Sequence, residues 1–82
     1  MPKNILQEVI DVVGNNLRSS EIEASTRFVE DLSLPSIEVM DLLSDVEDHF
    51  DVSIPLKELP TIEIVEDLAN RIEELIIDKE QS

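Results

Sequence analysis

Eighty-two residues make one small domain, since independent domains span about 50–250 residues. Twenty Asp and Glu against six Lys and Arg leave a net charge of -14, which repels phosphate backbones and anionic membranes and excludes direct nucleic-acid binding. With no Cys in the chain, disulfides, zinc–thiolate sites and cysteine nucleophiles are excluded by counting.

Placed at steps of about 100° around a helix, Ile5, Leu6, Val9, Ile10, Val12, Val13 and Leu17 fall on one side, and Gln7, Glu8, Asp11 and Asn15 on the other. Asn4 with Gln7 three residues later has the form of a capping box, and Asn15-Asn16-Leu17-Arg18 suits a helix end, so the spacing predicts a first helix over 4–17. Residues 18–34 carry no stripe. Ser19, Ser20, Ser25 and Thr26 favour a loop, with Ile22, Phe28, Val29 and Leu32 scattered among them. A connection this long in a small domain is often functional, and it is expected to be an ordered loop pinned to the core by Phe28 and Leu32. Pro35 suits the first position of a helix and pushes Leu34 towards extended geometry.

From Ser36 to Phe50, Val39, Leu42, Leu43, Val46 and Phe50 share one arc, while Glu38, Asp41, Asp45 and Asp48 share the opposite one. Ile37 and Met40 fall outside the buried arc, on the solvent side beside Ser36. Asp51 to Pro55 reads as a connector, and Pro55 and Pro60 bracket at most one turn around Leu56–Leu59. Thr61 is the candidate cap of a last helix. Its buried stripe is Ile64, Val65, Leu68, Ala69, Ile72, Leu75 and Ile76; Glu63, Glu66, Asp67, Asn70, Glu73 and Glu74 are expected to face water. Residues 78–82 are expected to fray. The whole predicts an all-α, up-and-down bundle of three to four helices, with a long loop between the first two, as one domain over 1–82.

Only Phe28 and Phe50 are aromatic, so the core must be aliphatic. No apolar run approaches the roughly 18 residues that a membrane span needs, and no signal peptide opens the chain, so a soluble cytoplasmic protein is expected. His49 is the only imidazole, on the edge of the acidic face, without the nucleophile and enclosed pocket that a hydrolytic triad requires. The only glycine, Gly14, lies within the first helix, so no EF-hand loop forms around the acidic run. No metal site is expected. Between Arg27 and Lys57 there is no Lys or Arg, yet Glu30, Asp31, Glu38, Asp41, Asp45, Glu47, Asp48 and Asp51 all fall there. Such a single-sign field destabilises the fold by self-repulsion and suits steering towards a basic partner.

The stretch Phe28-Val29-Glu30-Asp31-Leu32-Ser33-Leu34-Pro35-Ser36-Ile37 resembles the segment that carries the modified serine in acyl carrier proteins. The similarity continues through the acidic helix Glu38–Phe50 into Asp51-Val52-Ser53-Ile54-Pro55, which looks like that family's exit from its second helix. The resemblance implies a carrier and not an enzyme. In the family, a phosphopantetheinyl transferase moves 4′-phosphopantetheine from coenzyme A onto the serine, and the terminal thiol then holds acyl groups as thioesters. By position that serine is Ser36. A helix start also favours an attached phosphodiester, through free backbone N–H groups and the helix dipole. A serine there is more often a simple cap, and it is the surrounding family pattern that reverses those odds.

The family presents acids on its second helix to Arg and Lys of partner enzymes, a role that falls by position to Glu38, Asp41, Glu47 and Asp48, with Ile37 and Met40 as the apolar part. Exposed apolar residues rimmed by carboxylates suit a partner patch, and methionine adapts to varied surfaces. The family commonly has Asp-Ser-Leu where this chain has Pro35-Ser36-Ile37, and a glycine and a small residue where it has Ser33-Leu34. These departures point to a specialised carrier. The expected partners are a phosphopantetheinyl transferase and acyl-loading and acyl-processing enzymes with basic docking patches, in fatty-acid, lipid or polyketide-type biosynthesis, met by a monomer. Leu42, Leu43, Val46, Ile64, Leu68 and Ile72 are the candidate lining for part of an acyl chain. An aminoacyl or peptidyl carrier and an acidic adaptor that never receives the arm remain as alternatives.

Overall fold

The computed structural model describes residues 4–81. Its elements are α1 (Ile5–Leu17), α2 (Ser36–Phe50), a 3₁₀ turn (Leu56–Thr61) and α3 (Val65–Gln81). Among the described residues there is no β-strand, only one isolated bridge between Arg27 and Ile64. The chain is therefore an all-α bundle, with α1 lying against both α3 and α2. No helix among the described residues is long and apolar enough to cross a membrane.

Each helix forms where its apolar stripe predicts. Asn4 caps α1 by accepting from the Gln7 amide at 3.2 Å. The Gln7 side chain reaches forward to Asp11 at 3.0 Å. Both α1 and α2 end in a left-handed residue that is not glycine, Arg18 (φ 54°) and Asp51 (φ 56°). After each, the next amide closes the final turn: Ser19 N–H donates to Gly14 O at 2.9 Å, and Val52 N–H to Glu47 O at 3.0 Å. These are Schellman closures, and Asp tolerates the left-handed region better than most residues.

The single glycine serves a close approach. A Cβ on Gly14 would lie 2.8 Å from the Ser19 carbonyl oxygen. Helix propensity alone favours alanine at such a position by about 1 kcal/mol, but here the backbone oxygen of the closing turn would have to move. Gly14→Ala is accordingly expected to destabilise the chain by about 1 kcal/mol or more. Urea unfolding followed by far-UV circular dichroism measures it, and a gain in stability would show that the turn yields freely.

The core joins all the helices. Val9 and Val13 of α1, Val39, Leu42, Leu43 and Val46 of α2, and Val65, Leu68, Ala69 and Ile72 of α3 are buried together with Ile22, Phe28, Ile54 and Ile62 from the connections. The long loop is ordered by backbone bonds to the start of α3. Phe28 N–H donates to Glu63 O at 3.1 Å, while Val65 N–H donates to Thr26 O at 3.0 Å and Glu66 N–H to Ala24 O at 2.9 Å. Loop carbonyls thus take up amides that a helix start leaves without intrahelical partners. Phe28 pins the loop as expected; Leu32 is only half-buried, and Ile22 and Thr26 share the task.

Several local expectations are corrected, among them the single turn bracketed by Pro55 and Pro60: the 3₁₀ segment runs over Leu56–Thr61 with Pro60 inside it. Pro35 precedes α2 as its cap residue (φ -63°, ψ 157°), and Ser36 is the first helical position. Thr61 does not cap α3: its hydroxyl donates to Glu58 O at 2.6 Å within the 3₁₀ turn. The capping acceptor is Asp67, expected to face water, whose carboxylate turns back to the amides of Glu63 at 3.1 Å and Ile64 at 3.3 Å. Residues 78–81, expected to fray, are helical; Ser82 lies outside the described residues.

Lys79 explains part of that continuation, because it donates to the carbonyl and the carboxylate of Asp51 and ties the end of α3 to the end of α2. The hydrogen bond from Lys79, then its charge, holds the Asp51 carboxyl below its ordinary value of 3.8. A carboxyl whose folded pKa is depressed contributes stability above its unfolded value and loses it as pH falls through the folded one. Between neutral pH and the acid side of 3.8, the native chain is expected to lose more stability than Asp51→Asn, which keeps a residue suited to the left-handed turn. The pair is exposed, so the difference is small. Urea midpoints of the two proteins across that range test it, and parallel curves would show that Lys79 contributes nothing.

Candidate functional site

Ser36 is exposed at the first position of α2. The amides of Glu38 and Val39 already bond to Pro35 O, at 3.0 and 3.1 Å. Helical geometry leaves the two amides before them, Ser36 and Ile37, without intrahelical acceptors. No side chain caps this helix, so neither Ser33 nor Ser36 serves as the ordinary cap that a serine at this place suggests. The positive end of α2 therefore lies open beside the Ser36 hydroxyl, an arrangement suited to an attached anionic group.

The chain leading to Ser36 is held tightly. Arg27 O accepts from the amides of Asp31 and Leu32, both at 3.1 Å, Leu34 N–H donates to Phe28 O at 3.2 Å, and the Asp31 carboxylate accepts from Arg27 N–H at 2.9 Å. Ser33 takes the left-handed conformation at φ 54°, which explains why a glycine suits this position. Phe28 joins this turn to the core and to α3.

A cleft of about 420 Å³ opens beside Ser36, with Phe28, Val39, Leu59 and Ile62 as apolar walls and Arg27, Glu30 and Glu63 among its polar lining. The six residues expected to line an acyl site are elsewhere. Leu42, Leu43, Val46, Leu68 and Ile72 are buried and Ile64 is half-buried in the bridge to the loop, and none of them lines this cleft. Val39 comes from the buried arc of α2, but Phe28 comes from the loop, Leu59 from the 3₁₀ turn and Ile62 from just after it, segments whose irregular backbone gives no periodic signal to read.

The structure separates the residues expected to meet partners. Ile37 is 70% exposed and Met40 39%, and Glu38, Asp41 and Asp48 are also exposed. Glu47 is half-buried, and one of its carboxylate oxygens accepts from Ile54 N–H at 2.9 Å. It therefore shapes the connector after α2 as well as adding charge to that face. Asp45 accepts from the Asn16 side chain, joining α2 to α1. His49 is exposed and meets Phe50 edge-to-face at 4.8 Å. Among the described residues, no cluster of His, Asp and Glu is placed to hold a metal ion.

Comparisons with known proteins bear on the family of the chain. Residues 3–72 match the family described as "Phosphopantetheine attachment site". The chain is 36% identical over 73 residues to a protein named "Acyl carrier protein" from Rickettsia bellii (strain RML369-C), covering 87% of this chain and 85% of the relative. Similar proteins of the same name occur in Brachyspira hyodysenteriae (strain ATCC 49526 / WA1), at 33% identity over 85% of this chain and 94% of the relative, and in Exiguobacterium sp. (strain ATCC BAA-1283 / AT1b), at 36% over 87% and 92%. With the all-α bundle and an open helix start, these similarities establish that the chain belongs to the acyl carrier protein family, whose domain is the attachment site of phosphopantetheine.

Proposed function

We propose that Ser36 carries the 4′-phosphopantetheine arm and that the 82 residues act as one carrier module, holding acyl intermediates for the enzymes of fatty-acid, lipid or polyketide-type biosynthesis. The observation that carries this reading is the exposed Ser36 at the uncapped start of α2, on the mouth of an apolar cleft. The arm, once attached, supplies a thiol that holds the cargo as a thioester. The chain's own residues do the rest. The open amides of α2 and the helix dipole favour the phosphodiester. Phe28, Val39, Leu59 and Ile62 offer an apolar wall to a hydrocarbon chain. The turn from Arg27 to Leu34 holds Ser36 at a fixed place.

Docking falls to the exposed face of α2. Glu38, Asp41 and Asp48, with the remaining charge of Glu47, present carboxylates to basic patches on a phosphopantetheinyl transferase and on acyl-loading and acyl-processing enzymes, and Ile37 and Met40 supply the apolar contact. Long-range attraction of this kind speeds encounter more than it strengthens the complex, as befits a carrier that must leave each enzyme quickly. Pro35 before Ser36 fits a specialised carrier, acting as a monomer in the cytoplasm. Once the arm is attached, offering the protein to an acyl-activating enzyme and to an amino-acid-activating enzyme tests the cargo class. Thioester formation by the first alone is expected; loading by the second alone would make it an aminoacyl carrier.

A further inference from the structure

The cleft beside Ser36 holds a positive charge that neither the fold nor the docking face uses. Arg27 lies on its lining together with Ser36, Val29 and Glu30. It is the only cation between Arg18 and Lys57 in a chain of net charge -14. No helical stripe demands an arginine there, since residue 27 belongs to the long connection before α2.

Arg27 is held at its backbone and loose at its tip. Its carbonyl accepts from the amides of Asp31 and Leu32, its N–H donates to the Asp31 carboxylate at 2.9 Å, and the residue makes the isolated bridge to Ile64. The bond from Leu34 N–H to Phe28 O at 3.2 Å draws the segment just after Arg27 against the segment that leads to Ser36. The side chain, in contrast, is more than half exposed, and so is that of its partner Glu30. An exposed pair three residues apart contributes little to stability, so pairing with Glu30 does not account for the arginine.

That pair also leaves most of the guanidinium unused. Glu30 engages Nη1 alone, and among the described residues no acceptor meets Nε or Nη2. A guanidinium carries five N–H donors in a planar fork, and one edge of it matches two oxygens of a phosphate side by side. The Nε–Nη2 edge can therefore take a second anion while Nη1 stays with Glu30.

On the reading of Ser36 as the attachment site, loading brings a phosphodiester into this neighbourhood. It adds a negative charge to a lining that already holds Glu30 and Glu63, where Arg27 is the one opposing charge. We propose that Arg27 clamps the phosphodiester of the attached arm through its Nε–Nη2 edge and keeps the start of the arm at the mouth of the cleft between visits to enzymes. Arg27 is then a positioning residue of the carrier. Val29, 64% exposed on the same lining, gives apolar surface to the two methyl groups that follow the phosphate in the arm. A partner that draws the arm into its own site must offer the phosphate a cation in exchange for Arg27.

The test is nuclear magnetic resonance of the nitrogen-labelled chain before and after loading, at low salt, with each state verified by mass. On loading, the Nε–H signal of Arg27 is expected to shift and its heteronuclear Overhauser effect to rise, as a mobile guanidinium becomes fixed. The phosphorus resonance of loaded Arg27→Gln is expected to be displaced from that of the loaded native chain. Lys57→Gln, which removes an exposed cation outside the cleft, should leave the phosphorus resonance in place. An Arg27 signal unchanged by loading, a phosphorus resonance shared by the native chain and Arg27→Gln, or an equal displacement by Lys57→Gln each overturns the clamp and leaves the carrier reading intact. A chain that stays bare both with the transferase and in its own cells sinks the carrier reading, and the clamp with it.

Discussion

Incubated with coenzyme A and a broad-specificity phosphopantetheinyl transferase, the chain is expected to gain the mass of one phosphopantetheine, and Ser36→Ala to gain none. The effect is all or nothing, because the hydroxyl is the nucleophile and alanine has none to offer. Seven other serines are present, so the choice of Ser36 by the family pattern needs a physical argument as well. Ser33 is held in a left-handed turn, and Ser44 lies mid-helix, where every amide is engaged by the helix itself. Ser36 alone combines exposure with the open amides of a helix start. Ser33→Ala and Ser44→Ala are therefore expected to be modified like the native chain. A gain that survives Ser36→Ala would move the site. No gain, followed by an unmodified mass for the protein purified from its own cells, would put the acidic adaptor first.

Replacing Phe28 by alanine is expected to destabilise the chain by about 3–5 kcal/mol, the usual range for a large buried aromatic. Small domains have only about 5–15 kcal/mol in total, so the variant should sit close to unfolding at room temperature. Phe28 is 1% exposed, and it belongs to the loop, not to a helix. Its backbone bonds to Glu63 and Leu34 join the segment before α3 to the approach to Ser36, and Phe28 also lines the cleft. Losing the ring would thus loosen the core and the site at once. Without Trp or Tyr in the chain, far-UV circular dichroism in urea is the suitable probe. Phe28→Leu should recover most of the loss, since it keeps an apolar side chain in the same place. A loss under about 1 kcal/mol for alanine would show that the loop is held by its backbone bonds alone, against the general rule for buried aromatics.

The parts that were legible before the structure share one physical property. The stripes of α1, α2 and α3 recur at helical spacing, and burial follows them: Val9, Val13, Leu42, Val46, Leu68 and Ile72 are all within 1% of full burial. The misplacement of Ile37 and Met40 was legible for the same reason, because a helix leaves each residue little freedom of direction. Caps were harder. Thr61 and Asp67 both have suitable side chains near the start of α3, and only the path of the 3₁₀ turn decides that Asp67 meets the free amides. Glu47 looks like its exposed neighbours in sequence, yet the connector folds back so that the Ile54 amide reaches it.

Composition and periodicity by themselves determined an acidic, aliphatic, all-α chain with three amphipathic helices, and the pattern around Ser36 determined its family. The tertiary structure decided where the cleft lies, and which carboxylates are held by the protein and which are left exposed. The physical reason is range. A helix is specified by neighbours three and four residues apart. The cleft walls Phe28, Val39, Leu59 and Ile62 are brought together by contacts across the chain, Phe28 to Glu63 and Arg71 to Glu58 among them, and such pairings leave no periodic mark in the order of the residues.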